Sequence, residues 1–236
     1  MGNKHIEDKP QPIIYSSLKE WFFVQIPKNA STSIHHYLKN IPPKKLVKHA
    51  IEYCTMTDEL DIYHNKPDGI IKYFPHLENF TRLCFVRNPW ARCLSLYTHN
   101  LYRSSLKEHA GSDWAEGIHT RLLKEGFKGA WMEGGFFRDK ENMEAPLSDV
   151  RGRNWKESDT QTSWIDEKTK IFKLEDGVDQ FYDYIGIPEG TVQKHSRYDA
   201  RNTTHHFNYR LYYDQELIDE VHSLYHQDIV NFGYTF

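Results

Sequence analysis

Short apolar runs separated by polar turns set the pattern of this chain. Glu20 to Ile26 carries WFFVQI, which predicts a buried strand that Pro27 stops. Ser31 or Thr32 then caps a predicted helix running to about Asn40, where Pro42-Pro43 ends it. LCFV, Leu83 to Val86, predicts a second buried strand, and Pro89 opens a helix through WARCLSLYTHNLY to about Arg103. KIFKL, Lys170 to Leu174, reads as a third strand, and Val178 to Ile185 as a short helix closed by Gly186. In the C-terminal segment, Leu217, Val221, Leu224, Tyr225 and Ile229 fall on one face of a helix with Asp214 as its N-cap.

Between these elements the pattern is weaker. Residues 1 to 18 read as a loose lead-in. KKLVKHAIEYC, Lys44 to Cys54, carries local positive charge and runs into a predicted helix to about Leu60, followed by the turn signal HNKPDG. Residues 104 to 160 are irregular, rich first in glycine and aromatics and then in charge; a lid or acceptor-side loop and a disordered insertion are both compatible with that composition. Strand, polar turn and helix thus occur twice in succession. The expectation is one α/β domain over residues 1–236, with a central parallel sheet flanked by helices.

Both turns have the chemistry of anion sites. The first, PKNASTS, places Lys28 and the hydroxyls of Ser31, Thr32 and Ser33 at the start of a helix, where N–H groups face outward. The glycine-rich signature G-x-x-x-x-G-K-[ST] is absent. In the second, Arg87 leaves the strand and Ser95 lies eight positions on, two turns along the helix. A guanidinium fork and a hydroxyl at one edge can clamp a phosphate.

Composition narrows the rest. With 236 residues there is one sizeable core, and a net charge of −3 excludes a global basic field for nucleic acid or membrane, so any anion site is local. Aromatics reach 14%, which core packing alone accounts for in large part. Three cysteines, Cys54, Cys84 and Cys93, show no C-x-x-C spacing and point to reduced thiols in the cytoplasm. The polar N-terminus is neither a signal peptide nor a membrane anchor, and Ile6 stands where myristoylation wants Ser or Thr. The sequons at Asn29, Asn79 and Asn202 read as chance matches, since a glycan at Asn29 would block the first turn. His222 and His226 are four apart on a helix but lack a third ligand, so no metal is expected.

QIPKNASTSI and FVRNPWARCLSLY together resemble the sulfotransferase superfamily, most closely the carbohydrate-sulfotransferase-like family 2 branch in its soluble bacterial-type form. KHAIEYC is similar to a basic segment between the two motifs, RNWKESDTQTSWI to a later tryptophan- and glutamine-bearing segment, and DIVNFGY to the terminal close. The resemblance covers most of the chain and is weakest in the middle third. It implies a kinase-like phosphate loop and 3'-phosphoadenosine 5'-phosphosulfate (PAPS) as co-substrate, with release of adenosine 3',5'-bisphosphate and no metal. Lys28, Asn29, Ala30, Ser31, Thr32 and Ser33 then correspond to the 5'-phosphosulfate loop, with Ala30 at its usual glycine position. Arg87 and Ser95 correspond to the 3'-phosphate site. Tyr198, Arg201 and Asn202 fall where relatives contact the nucleotide.

Lys28 is the expected stabiliser of the leaving oxygen, and His49 the expected general base. His35, His36, His76 and Glu52 are the alternatives for the base. Lys48, His76, Trp155 and Trp164 are candidates for the acceptor side, although both tryptophans also suit packing. The acceptor implied is a small molecule or saccharide, at a hydroxyl or alternatively a nitrogen. Two other readings compete: a nucleotide-kinase-like phosphotransferase, and a non-catalytic nucleotide-binding module.

Overall fold

Buried strand structure begins earlier than the pattern predicts. The computed structural model describes residues 13–30, 33–34, 38, 52–54, 66–105, 113–138, 159–187 and 208–236. Ile13–Ser16 forms β1, within the stretch read as loose lead-in. Its residues Ile13, Ile14 and Ser16 are buried. A four-residue turn with Glu20 in the left-handed region (φ 51) returns the chain into β2, Trp21–Phe23. So short a connection permits only antiparallel pairing, which is what β1 and β2 adopt.

Glu52–Cys54, at the end of the basic stretch and not expected as a strand, forms β3, which pairs antiparallel with the other edge of β1, Ile14 opposite Tyr53; the helix expected after it, to about Leu60, lies outside the described residues. β4 is Thr81–Val86 and β5 is Thr169–Lys173, both within a residue or two of the predicted bounds. The sheet order is β3-β1-β2-β4-β5. β2, β4 and β5 pair in parallel, and only β1 runs against the others. The single α/β domain is as expected, with this one reversed strand as the departure from a purely parallel sheet.

Alternation along the strands feeds two cores. Phe22, Val24, Ile26, Cys84 and Val86 face one side, packed with Trp90, Leu96, Trp131 and Val221. Ile14, Trp21, Phe23, Leu83, Phe85 and Phe172 face the other, packed with Ile34, Leu38, Phe181 and Ile185. A strand buried on both faces reads as a continuous apolar run, which is why WFF and LCFV were legible. Much of the aromatic content is core: Phe85 lies 5.6 Å from Phe172 and 5.5 Å from Phe181, and Trp131 stacks on Phe137 at 4.4 Å.

The helices are α1 (Pro67–Tyr73), α2 (Pro89–Ser104), α3 (Asp113–Trp131), α4 (Asp179–Ile185), α5 (Gln215–Leu224) and α6 (His226–Phe232). The described part of the expected turn HNKPDG, Lys66 to Gly69, is thus a helix start, with Pro67 at its first position. The stretch 104–160, expected to be irregular, contains α3, two helical pieces meeting at Gly126 (φ 65). Gly135 in this stretch has a packing reason: a Cβ there would sit 2.0 Å from the Gly129 carbonyl oxygen. The expected C-terminal helix breaks at Tyr225 (φ −113, ψ 24) into α5 and α6. Asp214 caps α5 as predicted, accepting from Leu217 N at 3.0 Å. Among the described residues no helix is long and apolar enough to cross a membrane.

Candidate active site

Ile34 and Leu38, in helical backbone after β2, pack on the Phe23 side of the sheet, whereas α2, after β4, packs on the Val24 side. From β2 the chain moves towards β3, and from β4 towards β5, so neighbouring strands send their connections in opposite directions. That divergence opens a crevice at the carboxyl ends of β2 and β4, the usual ligand position in open α/β sheets. Lys28 and Arg87 both lie there.

The first turn solves its geometry without glycine. Lys28 (φ 67) and Ala30 (φ 61) are left-handed, and Asn29 between them is not. Alternating hand turns successive N–H groups to one side of the chain, forming a concavity for anions. Each left-handed non-glycine residue costs about 1–2 kcal/mol, so neighbours must hold the turn in place. The Asn29 N–H turns back to Ile26 O (3.3 Å), and the helix starts with Ile34 N donating to Ala30 O (2.9 Å). Lys28 and Ala30 are half-buried, while Asn29 is buried.

The second turn starts from Arg87, whose guanidinium is half-buried and donates through Nη1 to Lys28 O at 3.3 Å. Desolvation lowers its pKa, partly offset by the nearby Glu175 carboxylate. A cation so stripped of water favours an anionic partner. Asn88 caps α2, its Oδ1 accepting from Trp90 N (3.1 Å), while its own N–H donates to Glu175 Oε1 (2.7 Å). Ser95 is buried on α2, and no hydrogen bond of its hydroxyl occurs among the described residues.

Three residues with no role assigned from the sequence hold these turns together. Gln161 is fully buried: its Oε1 accepts from Asn29 Nδ2 (2.6 Å) and Arg87 N (2.8 Å), and its Nε2 donates to Arg87 O (2.8 Å). Asp228 of α6, also fully buried, accepts from Gln161 N, Thr162 N and Thr162 Oγ1, each at 2.8 Å. Arg92 donates from Nε to Pro27 O (3.2 Å) and from Nη1 to Asp159 O (2.9 Å). Gln161 and Asp228 stand inside the quoted segments DTQTSW and DIVNFGY, and Arg92 inside FVRNPWAR; their burial is what the letters alone did not show.

Other candidates fall elsewhere. His76 is exposed and precedes β4, at the opposite end of the sheet from Arg87, among the rings of Tyr15, Phe74 and Phe80. The structure therefore does not bring it to the crevice. Trp164 is fully buried in the core and serves packing rather than an open acceptor pocket. Asn29 is engaged in holding the turn: its Nδ2 donates to Phe85 O (2.8 Å) as well as to Gln161. Ser33 lies in the first helical turn after the loop, half-buried. Ser31, Thr32, His35, His36, Lys48, His49, Trp155, Tyr198, Arg201 and Asn202 lie outside the described residues, as does the side chain of Glu52. Burial pushes the Cys84 and Cys93 thiols up, so neither supplies a thiolate. Among the described residues no three His, Cys, Asp or Glu side chains come together as a metal site.

Comparison with protein families matches the sulfotransferase family model to residues 11–235, including both turns and the terminal helices. The chain belongs to the sulfotransferase family. The match is to the family 2 branch, and it assigns the molecule to the transferases. No curated protein and no solved structure gave a match.

Proposed function

We propose that this sulfotransferase moves the sulfuryl group of PAPS to a hydroxyl, or alternatively a nitrogen, of a small molecule or saccharide, releasing adenosine 3',5'-bisphosphate. The observation that carries the reading is the pairing of two anion-seeking turns at one sheet edge, cross-linked through Arg87 Nη1 and Lys28 O, in a chain of this family. The donor set fits such a nucleotide: a left-handed turn bearing Lys28, a partly desolvated guanidinium, and the buried Ser95 hydroxyl, which makes no hydrogen bond among the described residues.

In this reading the Lys28 turn, with Ser31, Thr32 and Ser33, holds the 5'-phosphosulfate. Arg87 and Ser95 hold the 3'-phosphate, and Tyr198, Arg201 and Asn202 contact the nucleotide. Sulfuryl transfer resembles phosphoryl transfer in needing charge stabilised on the leaving oxygen and a base on the acceptor. Lys28 carries the first task through its ammonium. His49 carries the second, with Lys48 and Trp155 on the acceptor side; these three assignments rest on the sequence resemblance. The buried free thiols Cys84 and Cys93 are compatible with the proposed cytoplasmic location.

Calorimetric titration with adenosine 3',5'-bisphosphate, with ATP and AMP as controls, tests the donor half. Binding that requires the 3'-phosphate is expected, followed by turnover of PAPS with an acceptor panel. Preference for ATP would replace this reading with the kinase-like one. His49→Ala is expected to abolish transfer while PAPS still binds; retained activity would move the base to another group.

A further inference from the structure

The two turns share more hydrogen bonds than each needs for its own shape. Asn29 Nδ2 reaches Phe85 O, Arg87 Nη1 reaches Lys28 O, and Arg92 Nε reaches Pro27 O. Gln161 lies between them and uses both ends of its amide. Its Oε1 accepts from the centre of the first turn, Asn29, and from the backbone of the second, Arg87 N. Its Nε2 donates to Arg87 O and to Asp228 Oδ2 (3.3 Å). Only a side chain carrying a donor and an acceptor can make this set. A carboxylate there would lack the donors and stand against Asp228, and an apolar side chain would lack both.

Asn29 sits between the left-handed Lys28 and Ala30, so any adjustment of the first turn to an anion moves the group bonded to Gln161. Arg87 carries the cation of the second turn, and its backbone N–H and C=O are both fixed by the same amide.

We propose that Gln161, anchored by Asp228, is a positioning residue that couples the two anion-binding turns, so that a phosphate bound in one orders the other. The inference rests on the reading of this crevice as a site for adenosine 3',5'-bisphosphate and its sulfated form. Its thermodynamic consequence is that a ligand bearing both phosphates binds more tightly than its two halves imply. Such coupling is reciprocal between the turns.

The test compares adenosine, adenosine 3'-monophosphate, 5'-AMP and adenosine 3',5'-bisphosphate by calorimetry on the wild-type protein and on Gln161→Met. In the wild type, the bisphosphate is expected to exceed the combined effect of the single phosphates by about tenfold, mid-range for coupled sites. In Gln161→Met that excess collapses, while each monophosphate affinity changes by less than about threefold, within the weak end of such coupling. A merely structural role would weaken all ligands together or lower the melting temperature without removing the excess. An excess retained in the variant overturns the proposal.

Should Gln161→Met fail to fold, hydrogen exchange on the wild type decides. Saturating 5'-AMP, which lacks the 3'-phosphate, is expected to slow exchange at Arg87 and Asn88 as well as at the first turn. Protection confined to the first turn overturns the coupling. A wild type that does not favour the bisphosphate overturns the functional reading, and with it this inference, before any variant is made.

Discussion

Arg87 and Lys28 share one sheet edge but have different expected tasks, and single substitutions separate them. Arg87 is half-buried, and partial desolvation lowers its pKa. Charge-assisted bonds contribute about 1.5–3 kcal/mol each, so Arg87→Ala is expected to weaken nucleotide binding roughly a hundredfold. Undiminished affinity in a titration would remove the 3'-phosphate assignment. Lys28→Ala is expected to lower turnover by about a hundredfold, as for loss of one transition-state donor, with a far smaller change in affinity. Equal losses in single-turnover rate and in binding would make Lys28 an anchor only. Ala30 adopts φ 61 where a glycine is at ease. Ala30→Gly is therefore expected to raise stability in denaturant unfolding by about 1 kcal/mol, the penalty removed from one left-handed residue. No gain would mean that the unfolded chain's added freedom cancels it.

At the scale of elements, caps and close approaches decide where helices start and turn. Asp214 accepts from Leu217 N and from Lys128 Nζ (2.7 Å), and Glu216 also pairs with Lys128. The Lys128 bond, then the Leu217 amide, depress the Asp214 carboxyl pKa. A group with a depressed folded pKa stabilises above its unfolded pKa, and that contribution fades as pH falls through the folded value. Asp214→Ala is thus expected to lower the melting temperature at neutral pH and to converge with the wild type in acid. Parallel melting curves at every pH would show that the charge is not involved. Gly135 makes the sharper case: its position against the Gly129 and Ala130 backbone leaves no room for a methyl group. Gly135→Ala should destabilise by about 1–3 kcal/mol, since backbone rather than a flexible side chain must move.

Across the whole molecule, the C-terminal helix returns to the sheet edge that the first strands create. Asp228, 200 residues beyond Lys28, anchors Gln161 and Thr162, and Tyr234 OH donates to Glu175 Oε2 (3.0 Å), whose other oxygen accepts from Asn88 N. β2 and β4 were legible from pattern alone as continuous apolar runs buried on both faces, and β5, of which only Phe172 is buried, as the short run KIFKL between polar turns. β1 and β3 escaped notice because each is short and meaningful only through the other: Ile14 opposite Tyr53 is a pairing, not a periodicity. Lys28, Arg87 and Ser95 were legible because their residue types are chemically unusual at the ends of apolar strands. Gln161 was quoted within a motif but carried no role, because an amide's function depends on what lies at both of its ends.

The order of residues by itself thus determined the two strand–turn–helix units, the α/β class, the family resemblance and the cations and hydroxyls on which the proposed anion chemistry rests, since these follow from local periodicity and residue type. Only the tertiary structure decided that β1 runs against its neighbours, that His76 lies at the far end of the sheet, and that Trp164 belongs to the core. It alone placed Gln161 and Asp228 between the two turns. The physical reason is the range of the interactions: periodicity and capping act within a few residues, whereas the pairing of Ile14 with Tyr53 and the buried hydrogen bond of Asn29 to Gln161 join residues far apart in the chain, and they exist only once the sheet has assembled.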